Sequence, residues 1–205
     1  MAISLSKGQK ISLTKAASDS GVAALTTVRV GLGWDTNKYD GGHEFDLDAS
    51  AFLLGADGKV RKDSDFVFYR SETHTADGRK CDEAQSVIYG GDNRTGAGEG
   101  DDEVIEVDLT KVPEDVQRIA FTVTIYDADV RQQNFGMVSN SYVRVADGVS
   151  GTEFVRYDLG EDYSCETAVV VAEMYRHNGE WKFNAIGSGY QGGLAALCRS
   201  FGIEV

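Results

Sequence analysis

Hydrophobic and polar residues alternate along most of this chain. Ten runs carry the pattern: TTVRVGLGW (26–34), FDLDASAFLL (45–54), DFVFYR (65–70), QSVIYG (85–90), DEVIEVDLT (102–110), RIAFTVTIYDA (118–128), SYVRVAD (141–147), EFVRYDL (153–159), TAVVVAEMYRH (167–177) and EWKFNAIG (180–187). They are rich in Val, Ile, Phe, Tyr and Thr, and Gly, Asp or Asn bound them, which is the signature of strands rather than helices. Ten short strands at close spacing predict an all-β-dominated fold, a β-sandwich of about ten strands rather than βαβ units. Asp57-Gly58 and Asn178-Gly179 read as two-residue hairpin turns in which both residues take positive φ. Helical periodicity appears in GGLAALCRSFG, where Leu194, Leu197, Cys198 and Phe201 fall at i, i+3, i+4 and i+7 before a glycine stop. This predicts one short C-terminal helix packed on a sheet edge or end. Pro113, in KVPEDVQ, suits a connector or a single helical turn. With no repeat and no Pro- or Ser-rich linker, residues 1–205 read as a single domain.

Charge narrows the chemistry. The 33 acidic and 20 basic residues leave a net charge of −13. Such a surface repels phosphate backbones, so nucleic acid is not the expected partner, and an anionic membrane is disfavoured unless a cation bridges the two. Cys81, Cys165 and Cys198 are far apart and odd in number, which predicts reduced thiols rather than a disulfide framework or zinc ribbon. No run approaches the roughly 20 apolar residues of a membrane helix. The expected setting is cytoplasmic, at most peripheral to the inner membrane face, with no direct membrane insertion.

The acids are unevenly placed. YGGDNRTGAGEGDDE (89–103) holds five glycines and five acids, too permissive a backbone for a core strand or a helix. Glycine lets a chain curl so that several oxygens face one centre, and calcium takes six to eight oxygen ligands from carboxylates, amides and backbone carbonyls. Asp92, Asn93, Glu99, Asp101, Asp102 and Glu103 supply those side-chain oxygens. A second cluster lies in residues 33–50. The period of two in FDLDASAFLL puts Phe45, Leu47, Ala49, Ala51 and Leu53 on one face, and Asp46, Asp48, Ser50, Phe52 and Leu54 on the other. That second face predicts a strand running from an ion-binding rim, with Asp46 and Asp48 side by side, into the core between two sheets. Zinc fits poorly because His and Cys are missing from residues 89–103, and magnesium usually engages only one or two carboxylates. Asp127 and Asp129, after an apolar strand, read as a strand-end turn or as an additional cation ligand. No phosphate-binding loop is present, since Ala97-Gly98 stands where Lys-Ser/Thr is required after Gly96. Ser188 lacks the glycine two positions before it that a nucleophile elbow requires. His43, His74 and His177 show no ligand spacing.

The motifs GLGWD (31–35), FDLDASAFLL, the GDN-x-TG-x-G-x-GDDE stretch, IYDADVRQQNFG (125–136) and the GEWKF hairpin together resemble the TerD-type tellurium-resistance and stress proteins over nearly the whole chain. The resemblance implies a calcium-binding sandwich with C2-like loops, a role in tellurite resistance and stress tolerance, and no established enzymatic activity. Carried over residue by residue, it assigns the ligands to Asp92, Asn93, Glu99, Asp101, Asp102 and Glu103, then to Asp46, Asp48 and Asp35. Two Ca2+ ions are expected. So are partners among other tellurite-resistance proteins, including a membrane-associated complex. A calcium-dependent binding or scaffolding module is the leading expectation. The alternative is a metal-dependent hydrolase using the acidic cluster, with an acid such as Asp127 as base.

Overall fold

The computed structural model describes residues 2–35, 43–96, 100–159 and 163–204. Twelve strands follow the chain: β1 Ile3–Ser4, β2 Lys10–Ser12, β3 Thr27–Gly33, β4 Leu47–Leu54, β5 Phe66–Val67, β6 Val87–Tyr89, β7 Glu103–Asp108, β8 Arg118–Ile125, β9 Tyr142–Asp147, β10 Glu153–Asp158, β11 Ala168–His177 and β12 Glu180–Tyr190. Among the described residues three α-helices accompany them, α1 Leu13–Asp19, the single turn α2 Ala128–Arg131 and α3 Gly193–Phe201, with 3-10 turns at Asp63–Asp65 and Phe135–Met137. One six-stranded sheet has the order β1-β10-β9-β3-β7-β6, the other β2-β12-β11-β8-β4-β5. Every pairing is antiparallel except that of β1 with β10.

Inward residues of both sheets interdigitate in one core. Val28, Val30 and Leu32 of β3 meet Leu47, Ala49, Ala51 and Leu53 of β4 and Phe121 and Val123 of β8 in it. Trp34 and Trp181 are buried there as well. At one flank β4 lies over β7 and β5 over β6. At the other flank α1 closes the sandwich against β12 and β10, burying Leu13, Ala16 and Ala17. Ser12 caps this helix by accepting the Lys15 N–H at 3.1 Å.

The alternation assigned the faces of β4 correctly but not the destination of the second one. Ser50, Phe52 and Leu54 do not enter the core between the sheets. Phe52 and Leu54 form a second apolar cluster on the outer surface with Ala120, Val170, Leu197 and Cys198, beneath α3. All eight residues of β4 are therefore buried, because each of its faces has a cover. The helix ends at Gly202, in the left-handed conformation at φ 92°, which glycine adopts without a Cβ penalty.

β11 carries a bulge. Its register with β8 shifts between Val170 and Ala172, so Val171 and Ala172 both face the inter-sheet core while Val170 faces the α3 cluster. The β11–β12 hairpin turns at Asn178 and Gly179, with φ of 52° and 78° as the dipeptide predicts. At Asp57-Gly58 only Gly58 is left-handed (φ 75°), and Gly55 N–H bonds the Lys59 carbonyl instead, so this is a longer hairpin loop than the dipeptide implied.

Candidate metal centre

The acidic segments meet at one end of the sandwich, on the flank where β4 lies over β7. Asp46 precedes β4 and Asp48 belongs to its outer face. The loop after β6 turns through Gly90 and Gly91 (φ 131°) and brings Asp92 to them. One carboxylate oxygen from each of Asp46, Asp48 and Asp92 lies within 4.8 Å of the other two. They share a cavity of about 550 Å³ with His43, Glu44, Tyr69, Arg70, Arg94, Tyr126 and Arg131.

Each acid has a different environment. Arg131 pairs with Asp46 at 3.3 Å, and Arg94 with Asp92 at 3.0 Å. The Asp46 carboxyl is pushed up by burial, which outweighs the pull of Arg131. Asp48 is 7% exposed, and among the described residues its carboxylate receives no hydrogen bond. Burial, and then Asp46 and Asp92, push it up to about 7. Behind the trio, between the sheets, lies Glu103. It accepts the Ala49 N–H at 2.5 Å and the Tyr89 O–H at 2.8 Å, and burial pushes it up to about 9. Burial and the Glu103 carboxylate raise the Tyr89 phenol in turn.

The other sequence-predicted ligands are placed elsewhere. Asp101 lies on the outer face of the β3 sheet, where Arg144 clamps both carboxylate oxygens at 2.6 and 3.0 Å and Tyr142 donates at 3.3 Å. Gly31 makes this possible: a Cβ there would fall inside the Asp101 carboxylate. Gly33 leaves the same room for the Tyr142 ring. Asp102 accepts the Trp34 N–H at 2.9 Å and the Asn93 amide at 2.8 Å, while Asn93 Oδ1 accepts the Gly96 N–H at 3.2 Å. Burial raises the Asp102 carboxyl. Asp35 accepts the Asn140 amide at 2.7 Å. Glu99 lies outside the described residues. The structure thus brings together Asp46, Asp48 and Asp92, sets Glu103 behind them, and gives Asp101, Asp102, Asn93 and Asp35 partners within the protein. The single turn α2 follows Asp127, whose φ of 49° is left-handed. Asp127 and Asp129 line a neighbouring cavity of about 450 Å³ that also reaches Asp48.

Sequence reasoning did not single out Arg131 or Arg70, since nothing in linear order ties either to an acid some 85 or 22 positions away. The donor set fits a hard dication: all-oxygen ligands, no sulfur or imidazole in the trio, and one buried carboxylate that receives no hydrogen bond among the described residues. Cys81, Cys165 and Cys198 are free thiols. No helix of the described residues is long and apolar enough to cross a membrane.

Comparison with known proteins agrees with this architecture. The TerD domain family model matches residues 1–201. General stress protein 16U of Bacillus subtilis (strain 168) is 54% identical over 205 residues, covering all of both chains. Tellurium resistance protein TerD of Serratia marcescens is 53% identical, covering all of this chain and 99% of its own. The crystal structure of a homologue of telluride resistance protein (TerD) from Streptomyces coelicolor A3(2) superposes with a TM-score of 0.65 at 25% identity, covering 85% of this chain and 95% of that one. None of these names carries an enzymatic activity. A family match over nearly every residue, on a sandwich shared with a solved homologue, means that the chain belongs to the TerD family.

Proposed function

We propose that this chain is a calcium-binding protein of tellurium resistance and stress response, acting as a cation-dependent binding module rather than a catalyst. One observation carries the reading: Asp48, buried and without a hydrogen-bond donor among the described residues, lies with Asp46 and Asp92 so that one oxygen of each is within 4.8 Å of the others. Three anionic groups this close repel one another, and a dication removes that repulsion while tying the loop after β6 to β4. Asp46, Asp48 and Asp92 would hold the ion. A bound calcium ion would supply a positive charge with open coordination positions. The chain's own part is to fix the carboxylates, with Glu103 bracing β4 from behind. The names of the relatives support a resistance or stress role, and cytoplasmic partners among tellurite-resistance proteins, including a membrane-associated complex, follow from that role.

Calorimetric titration of chelator-treated protein tests this. Calcium is expected to bind in the range of about 10⁻⁷–10⁻⁵ M, with the stoichiometry deciding whether two ions enter. Asp92→Ala should weaken binding at least about tenfold, whereas Asp77→Ala, outside the cluster, should leave it unchanged. Equal losses in both variants would mean diffuse charge attraction without a site. Turnover of a phosphoester panel that Asp92→Ala abolishes would replace this reading with the hydrolase.

A further inference from the structure

The cavity holds cations as well as acids. Glu44, Asp46, Asp48 and Asp92 line it together with Arg70, Arg94 and Arg131, four carboxylates against three guanidiniums. Two of the guanidiniums pair with the acids that a metal would engage: Arg131 with Asp46 and Arg94 with Asp92. An entering dication takes those carboxylate oxygens and leaves both guanidiniums without their partners. The lining then changes from one net negative charge to one net positive charge.

Of the two released arginines, Arg131 has further contacts that hold it in place, while Arg94 is exposed and free to turn toward a ligand. Arg131 is stacked on Tyr126 at 5.2 Å and donates to the Glu44 carbonyl at 3.5 Å. Arg70 stacks on Tyr69 at 5.5 Å and makes no ion pair among the described residues. With one oxygen from each acid at the centre, three carboxylates leave at least three of calcium's six to eight oxygen positions open, and a cavity of about 550 Å³ exceeds what a bare ion occupies. Guanidinium forks match phosphate oxygens in pairs. We infer that the bound cation, Arg70, Arg94 and Arg131 together form a site for a phosphate-type dianion, closed by internal ion pairs until the cation enters. This rests on the calcium reading above and adds the ligand that the loaded site recognises.

Two titrations test it. Calcium binding is measured first in wild type, Arg131→Gln and Arg94→Gln. Each arginine competes with the metal, so each variant should bind calcium about two- to fivefold more tightly, the worth of a partly exposed pair. Methyl phosphate, soluble alongside calcium, is then titrated with and without the metal. Wild type should bind it only with calcium, and Arg131→Gln, Arg94→Gln and Arg70→Gln should each weaken that binding about tenfold or more. Arg118→Gln, at the far end of the β4–β8 pair, should change neither titration. Cosedimentation with phosphatidylcholine vesicles, with and without phosphatidic acid, separates a lipid phosphate from a soluble one, and capture by either source supports the site. Calcium binding with no response to phosphate in any form, or arginine variants that weaken both titrations, would overturn this inference and leave the calcium reading standing. Absence of calcium binding would remove both.

Discussion

Replacing Asp48 by asparagine should make the metal-free protein more stable and cost it calcium. Asp48 titrates near 3.8 in an unfolded chain and near 7 in the fold, raised first by burial and then by Asp46 and Asp92. Between those values the folded state keeps a proton that the unfolded state has released. Metal-free stability therefore falls as pH rises from about 4 to about 7, and stays low above that. Three pKa units at about 1.36 kcal/mol each give a burial cost of about 4 kcal/mol for the charged form. Asparagine removes the charge but buries an amide without partners, which costs about 1–3 kcal/mol. A net gain of about 1–3 kcal/mol remains at pH 8, or about 3–10 °C in melting temperature for a chain of this size. Near pH 4 the gain should disappear, because wild type is then protonated. Saturating calcium should reverse the order, since about a thousandfold excess over the dissociation constant stabilises wild type by about 4 kcal/mol and the variant lacks a ligand. Scanning calorimetry of both proteins in chelator and in calcium, at pH 5 and pH 8, reads all four states. If Asp48→Asn melts below wild type in chelator at pH 8, or keeps the full calcium shift, the account of a frustrated buried carboxylate is wrong.

Three further outcomes follow from the geometry. Asp101→Ala takes from Arg144 its two-oxygen partner and leaves it, among the described residues, only Glu153 at 3.0 Å, which should destabilise by about 1–3 kcal/mol in a denaturant melt, while calcium affinity measured by calorimetry stays within about twofold. Gly31→Ala drives a methyl into the clamped Asp101 carboxylate and should cost about 1–3 kcal/mol. Combined with Asp101→Ala in a double-mutant cycle it should cost less than the sum, and strict additivity would exclude the clash. Leu197→Ala opens a void between α3 and Phe52 and should cost about 2–5 kcal/mol by chemical denaturation, with the calcium titration unaltered.

The strands were legible because period-two alternation survives wherever a strand has unlike faces, as in β3, where Val28, Val30 and Leu32 point in and Arg29 points out. What was hidden came from elements too short to show a period. β1 has two residues and β2 three, and α1 presents Leu13, Ala16 and Ala17, a stripe so small that it reads as neutral. The outward apolar half of β4 was read as core because sequence shows that Phe52 and Leu54 are buried without showing what buries them. In the candidate centre, the sequence located the acid-rich loops but not their sorting. Asp101 and Asp102 are adjacent in the chain and on opposite sides of a strand end, so composition groups what backbone geometry separates. Arg144 and Arg131, which decide whether Asp101 and Asp46 are paired, lie more than 40 and 80 positions away and leave no local trace.

The bulge in β11 fixes the sidedness of everything after it. Up to Val170, even-numbered residues of that strand face α3. Beyond Ala172, even-numbered residues face the opposite sheet, with Met174 in the core and Glu173 outside. Deleting Val171 alone would remove the extra residue and leave the others on their faces, Ala168 and Val170 toward α3 and Ala172 and Met174 toward the core. Deleting Val169 instead would turn Ala168 away from the helix, and deleting Glu173 would turn Met174 out of the core, so within the strand a one-residue loss keeps the faces only at the bulge.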